Sequence, residues 1–151
     1  MSWLAGAAER QQVLAAMPEL ADSYAQLYAQ LWTLPHLPAR SLELCRLRLA
    51  QLHNASVEWQ KSEAELAPGQ RLALAEWPNS DLFDSAERAC LEFCEVYAMD
   101  TQALTDAQAE AVKQHYGDAG LVALVEALGL FDGMTRLSLL WQLSTVPPGE
   151  Q

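Results

Sequence analysis

The chain has 151 residues, 51% of them hydrophobic, and 20 acidic against 9 basic side chains give it a formal net charge of -11. That length suits one domain spanning 1–151, with a core large enough to fold without disulfides or metals. The charge repels phosphate backbones and anionic bilayers, so neither nucleic acid nor a membrane surface is an expected partner.

Helical periodicity runs through almost the whole chain and no alternating strand stands out, which predicts an all-α fold. A first helix is expected over Ala7 to Ala16. Pro18 suits the first turn of a second, PELADSYAQLYAQLWTL, with Leu20, Tyr24, Leu27, Tyr28 and Leu31 sharing the buried face. Prolines at 35 and 38 end it. A third helix over about Ala39 to Leu52 buries Leu42, Cys45, Leu49 and Leu52, with Leu44 and Leu47 widening the stripe. His53-Asn54 breaks it, and Asn54 or Ser56 can cap a fourth helix reaching to about Leu66. Pro68-Gly69 separates this from a short helix near Gln70 to Glu76, and WPNSDLF, Trp77 to Phe83, reads as a loop.

From Ser85 to Met99, Ala86, Ala89, Cys90, Phe93, Val96 and Tyr97 fall on one face, with Asp84 or Ser85 as cap. Thr105 caps a helix that Gly117 terminates. Asp118 can cap the last one, to about Leu143, whose first half is apolar nearly all round and so belongs at a bundle centre or a subunit interface. Its Glu126 is expected to find a cation, such as an arginine of the third helix. Asp132 and Arg136 form an i, i+4 pair, and Gly129 and Gly133 would permit close helix contact.

The three cysteines have no framework spacing, and the opening MSWLAGAAERQQ lacks the basic start and long apolar run of a secretory signal. A cytoplasmic location is therefore expected. The most apolar run, Gly120 to Phe131, contains Glu126 and falls short of the roughly 20 residues a membrane-spanning helix needs.

The stretch PARSLELCRLRLAQLHNASVEWQKS, Pro38 to Ser62, resembles the core of the carboxymuconolactone decarboxylase and alkylhydroperoxidase D (AhpD)-like family. There a helix reading E-L-x-R-L-R-x-A-x-L leads through a turn into C-x-x-C-x-x-x-H. The helix is kept here from Glu43 to Leu52, but the cysteines and the histidine fall on Ala55, Glu58 and Ser62. FDSAERACLEFCEVY and the closing LTDAQAEAVKQHYGDAGLVALVEALGLFDGMTRL are similar to further family segments, with Asp132 in place of the usual asparagine. The resemblance covers about 25–143. It implies an AhpD-like helical bundle and a homo-oligomer, trimers and hexamers both being familiar, with no cofactor.

Thiol peroxidase chemistry needs an attacking thiolate, a resolving thiol and a base near the first. Ala55 cannot attack, Glu58 cannot form a disulfide, and Ser62 is a poor substitute for histidine. Loss of thiol peroxidase activity is the expectation. Glu43 takes the position of the family's proton-relay glutamate, or else simply pairs with Arg46 one turn along. Glu58, in the first turn of its helix, is favoured by the helix dipole whatever its role. Paired across the former redox pocket, the two carboxylates are candidates for acid/base work on a small organic acid or lactone, which makes a small-molecule ligand conceivable. His53 is the histidine nearest this site and a weak metal candidate, so no metal is expected. Cys90 and Cys94 lie one helical turn apart, poorly aimed for a disulfide, and read with Cys45 as core or interface filler. Residual peroxidase activity through one of these three thiols is the remaining alternative.

Overall fold

The computed structural model describes Leu4 and residues 8–143, and all regular structure among them is helical. In chain order the elements are α1 (Arg10–Leu14), α2 (Pro18–Leu31), α3 (Ala39–Leu52), α4 (Ser56–Gln60), α5 (Gln70–Ala73), α6 (Ser85–Met99) and α7 (Asp106–Leu140). Single 3-10 turns span Leu74–Asn79 and Thr101–Ala103. The expected start of the first helix at Ala7 lies outside the described residues, and the helix itself is shorter than expected.

The central element is α3, where every residue from Ser41 to Leu47 is buried. No single neighbour can bury a helix on all sides. One face, Leu42, Cys45 and Leu49, joins Phe93 of α6 and Leu124, Leu128 and Phe131 of α7 in the main core. The other, Leu44 and Leu47, packs with Leu74, Trp77, Phe83 and Leu91 in a second cluster. Trp77 and Phe83 therefore belong to the core, although turn residues mark their segment as a loop.

Asp84 begins α6 with a capping box: its carboxylate accepts from the Glu87 amide while Glu87 reaches back to the Asp84 amide. Thr105 and Gln108 make the same reciprocal arrangement at the start of α7. Gly117 breaks α7 into two arms, with φ 68 and ψ -175, a conformation essentially reserved for glycine. Asp118 does not cap the second arm as expected; it lies exposed and pairs with Lys113 at 3.0 Å. Three residues past the break, a methyl group on Gly120 would lie 2.2 Å from the Tyr116 Cβ and 3.2 Å from the His36 carbonyl oxygen.

Two helix ends share one stop signal. At the end of α3, Asn54 is left-handed (φ 54), its amide bonds the Gln51 carbonyl, and the Ala55 amide reaches the Ala50 carbonyl at 2.8 Å. At the end of α7, Gln142 is left-handed (φ 53) and the Leu143 amide reaches the Ser138 carbonyl at 3.0 Å. Both are Schellman motifs. They bring Ala55 and Leu143 to the same small pocket.

Four further expectations are corrected. The fourth helix stops at Gln60, not near Leu66, because arginine side chains from elsewhere occupy its terminal carbonyls: Arg46 bonds those of Glu58 and Lys61, and Arg71 bonds that of Trp59. Leu20 and Leu27 are exposed, since α2 meets the core only at its C-terminal end, through Tyr28, Leu31 and Trp32. Glu126 lies on the solvent side of α7, where no arginine is required; Arg46 and Arg48 pair instead with other glutamates. The second arm of α7 is two-faced rather than central, burying Leu124, Leu128 and Phe131 while Val122, Val125, Leu139 and Leu140 remain exposed.

Because alanine at 117 would have to hold a backbone conformation open only to glycine, Gly117→Ala is expected to cost about 1–3 kcal/mol of stability, readable as a lower urea midpoint.

Candidate functional site

The candidate site is organised by a buried guanidinium. Arg46 has 1% of its surface exposed, and a buried charge persists only when paired and fully hydrogen-bonded. Glu43, one turn earlier on α3, takes it in a two-pronged pair: Nε to Oε2 at 2.8 Å and Nη2 to Oε1 at 2.7 Å. Two of its other three N–H groups donate to the carbonyls of Glu58 at 2.7 Å and Lys61 at 2.9 Å. Burial alone would lower the Arg46 pKa, but the hydrogen bonds and charge of Glu43 outweigh it and raise the value. Glu43 Oε1 also accepts the Glu63 amide at 3.1 Å, which leaves the carboxylate completely buried with both oxygens engaged.

Glu58 is the second buried carboxylate. Its Oε1 accepts from the Ser138 hydroxyl at 2.5 Å and from Lys61 at 3.2 Å, while Oε2 lies 3.8 Å from Arg46 Nη1. Arg10 of α1 approaches Oε1 to 3.6 Å, and its guanidinium sits 5.4 Å over the Tyr28 ring. The two expected carboxylates thus meet around one arginine.

The other candidates go elsewhere. His53 Nε2 pairs with Asp132 Oδ1 at 2.9 Å, and Arg136 holds the opposite oxygen of Asp132 at 2.7 Å, so the imidazole serves the junction of α3 and α7. Ser62 lies exposed beyond the end of α4. Ala55 is buried against a pocket of about 90 Å³ shared with Val57, Ser138 and Leu143. Among the described residues no group of three histidine, cysteine or acidic side chains is placed to hold a metal ion.

All three cysteines are free and buried between α3 and α6. The Cys45 thiol donates to the Cys90 carbonyl and the Cys94 thiol to the Cys45 carbonyl, each at 3.6 Å. A hydrogen bond with Cys94, together with burial, pushes the Cys45 pKa far up, and burial does the same for Cys90. Such sulfurs stay protonated and apolar.

Sequence reasoning found the Glu43 pair and the filler role of the cysteines. It missed Ser138, Lys61 and Arg10. Lys61 was readable from its i, i+3 spacing to Glu58, and Ser138, with Thr135 one turn before it, was a hydroxyl on an otherwise apolar helix face. Arg10 carried no signal, because α1 reaches the site only through the tertiary fold. Beside the cluster, α1, α2 and the 57–63 segment enclose an open groove of about 830 Å³, lined by Arg10, Tyr24, Tyr28 and Lys61 among others. Val57 and Leu143 separate it from the smaller pocket at Ala55.

No known protein-family profile matches the chain, and no curated protein matches it in sequence. Solved structures do. A protein of unknown function from Agrobacterium tumefaciens, described as a candidate AhpD antioxidant defence protein, superposes with a TM-score of 0.75 at 19% identity, covering 91% of this chain and 97% of its own. A cysteine-to-alanine variant of the debrominase Bmp8, bound to 2,3,4-tribromopyrrole, also gives 0.75 at 15% identity, over 90% of this chain and 75% of its own. The chain therefore has the AhpD-type all-α fold. No described helix is long and apolar enough to cross a membrane.

Removing the arginine strands a buried carboxylate and two backbone carbonyls, so Arg46→Ala should lose about 3–5 kcal/mol in chemical denaturation. Stability should also fall in alkali. Unfolded cysteines ionise near pH 8.5 whereas Cys45 and Cys90 in the folded chain hold their protons to higher pH, so the unfolded state gains ionisation free energy the native state cannot match. Melting temperature is expected to be unaffected by these thiols below about pH 8 and to decline above it.

Proposed function

We propose that this chain is an AhpD-like protein that no longer reduces hydroperoxides by the thiol route. The observation that carries the reading is the state of Glu58. By the resemblance it stands where the resolving cysteine would be, and its carboxylate is buried and bonded to Ser138 and Lys61 beside Arg46. A thiol pair has no counterpart there. Nor do the three existing cysteines offer a substitute, since attack on a peroxide requires an accessible thiolate, all three sulfurs are buried, and burial raises the pKa of Cys45 and Cys90. Three unpaired thiols also fit a reducing compartment such as the cytoplasm.

The acid/base alternative is weaker on geometry. A general base needs a lone pair within reach of a substrate proton, and Glu43 has both oxygens committed to Arg46 and the Glu63 amide. His53, its expected assistant, is bound to Asp132. Glu58, however, does not point into solvent, as a protein with a merely vestigial site would have it. It anchors α4 to α7 through Ser138.

The exposed Val122, Val125, Leu139 and Leu140 on α7, with Gly129 and Gly133 on the same helix, support a homo-oligomer assembled through this surface, a trimer or hexamer by the resemblance. Light scattering should report a mass above 16.7 kDa that Val125→Arg reduces; a monomeric parent protein would remove this part of the reading.

Incubated with dithiothreitol and tert-butyl hydroperoxide, the purified protein should consume no peroxide above the protein-free rate. Native protein should leave a thiol reagent unreacted over minutes and release all three thiols only on denaturation. A robust peroxidase rate that disappears in Glu43→Gln would overturn the proposal.

A further inference from the structure

Near Glu58, two buried donors lack an acceptor. Arg10 Nη1 is buried and makes no hydrogen bond, stopping 3.6 Å from a Glu58 oxygen that Ser138 and Lys61 already occupy. The Tyr28 hydroxyl is buried and equally without a hydrogen-bond partner among the described residues. The side chain acting on it is Trp32, whose indole N–H can only donate, so the phenol proton has no acceptor. Buried donors left in this state cost free energy, and both belong to residues lining one groove, where a small side-chain shift brings them to an acceptor from outside the chain.

The groove has the size for one. Its volume of about 830 Å³ falls within the range of small-molecule sites. Its charges are sorted by depth. Arg10 and Lys61 are largely buried, with side chains 14% and 32% exposed, whereas Glu9, Asp22 and Glu63 are exposed at the rim, where water and salt screen them. Burial raises the pKa of both Tyr24 and Tyr28, which keeps them as neutral donors. Half-buried Leu14 and Val57 add apolar lining.

We propose that this groove binds a small carboxylic acid with a flat apolar body. Its carboxylate is taken by Arg10, with Lys61 and the Tyr28 hydroxyl, and its ring lies against the tyrosines. On binding, Arg10 exchanges a 3.6 Å ion pair with Glu58 for direct hydrogen bonds to the ligand, and Glu58 keeps Ser138, Lys61 and Arg46. The site stands apart from the peroxidase question, since none of these residues occupies a thiol position. It would hold even if the thiol reading failed.

The test is an amide chemical-shift titration of the full chain with three probes of similar shape: benzoate, benzamide and benzylamine. Benzoate is expected to give saturable shifts centred on residues 10–14, 21–28 and 57–63, with benzamide and benzylamine weaker by about tenfold or more, the difference a charge-assisted hydrogen bond makes. Arg10→Gln should remove that preference and Tyr28→Phe should weaken benzoate several-fold while retaining the ring. Both variants are checked for an unchanged melt and spectrum outside the groove. Equal binding of benzoate and benzamide, preference for benzylamine, shifts located elsewhere, or a benzoate preference that survives Arg10→Gln would each overturn the proposal, as would no saturable binding at all.

Discussion

One guanidinium, buried in the middle of the most enclosed helix, sets the terms for everything around it. Arg46 cannot sit inside α3 without a carboxylate, and Glu43 supplies it from the preceding turn. It cannot satisfy its outer N–H groups without carbonyls, and the chain after α3 supplies those by ending α4 early, at Glu58 and Lys61. The path from 58 to 63 is therefore determined by a side chain on another helix. This is also why Glu63 closes the circle by donating its amide to Glu43. Groups of this kind are weak net stabilisers but strict about geometry, since every alternative path leaves a buried charge unpaired.

Much of the fold was legible because the relevant signals are local. Asn54, Gly117, Asp84 and Thr105 mark helix ends through their own backbone or side-chain chemistry, and the structure places the ends there. The boundary at Gln60 was not legible. Nothing in SVEWQKSEAEL breaks a helix by composition; the competitor for its carbonyls lies on α3. The exposure of Leu20 and Leu27 was hidden for a related reason, because periodicity reports which residues share a face and not how far the core beneath that face extends. Glu126 shows the converse error: a charge surrounded by apolar neighbours in sequence stands on the wet side of an amphipathic helix.

The site divides in the same way. The pairing of Glu43 with Arg46 is an i, i+3 relation and could be read from the chain. The meeting of Glu43 and Glu58 at one arginine, the hydroxyl of Ser138 eighty residues from its carboxylate, and the arrival of Arg10 over Tyr28 are products of packing. The fold is shared with an AhpD candidate and with a debrominase. Here that frame holds a charge cluster around Arg46.

The burial of all three cysteines also decides where an oxidant would strike. With those sulfurs sealed between α3 and α6, the exposed sulfur belongs to thioethers: Met99 is 72% and Met17 57% accessible. Sulfoxide formation at these surface positions would add oxygen without touching the core, a lesion that methionine repair enzymes reverse. The chain can in this way pass through oxidative stress carrying surface marks while its interior and its helix packing stay as they were.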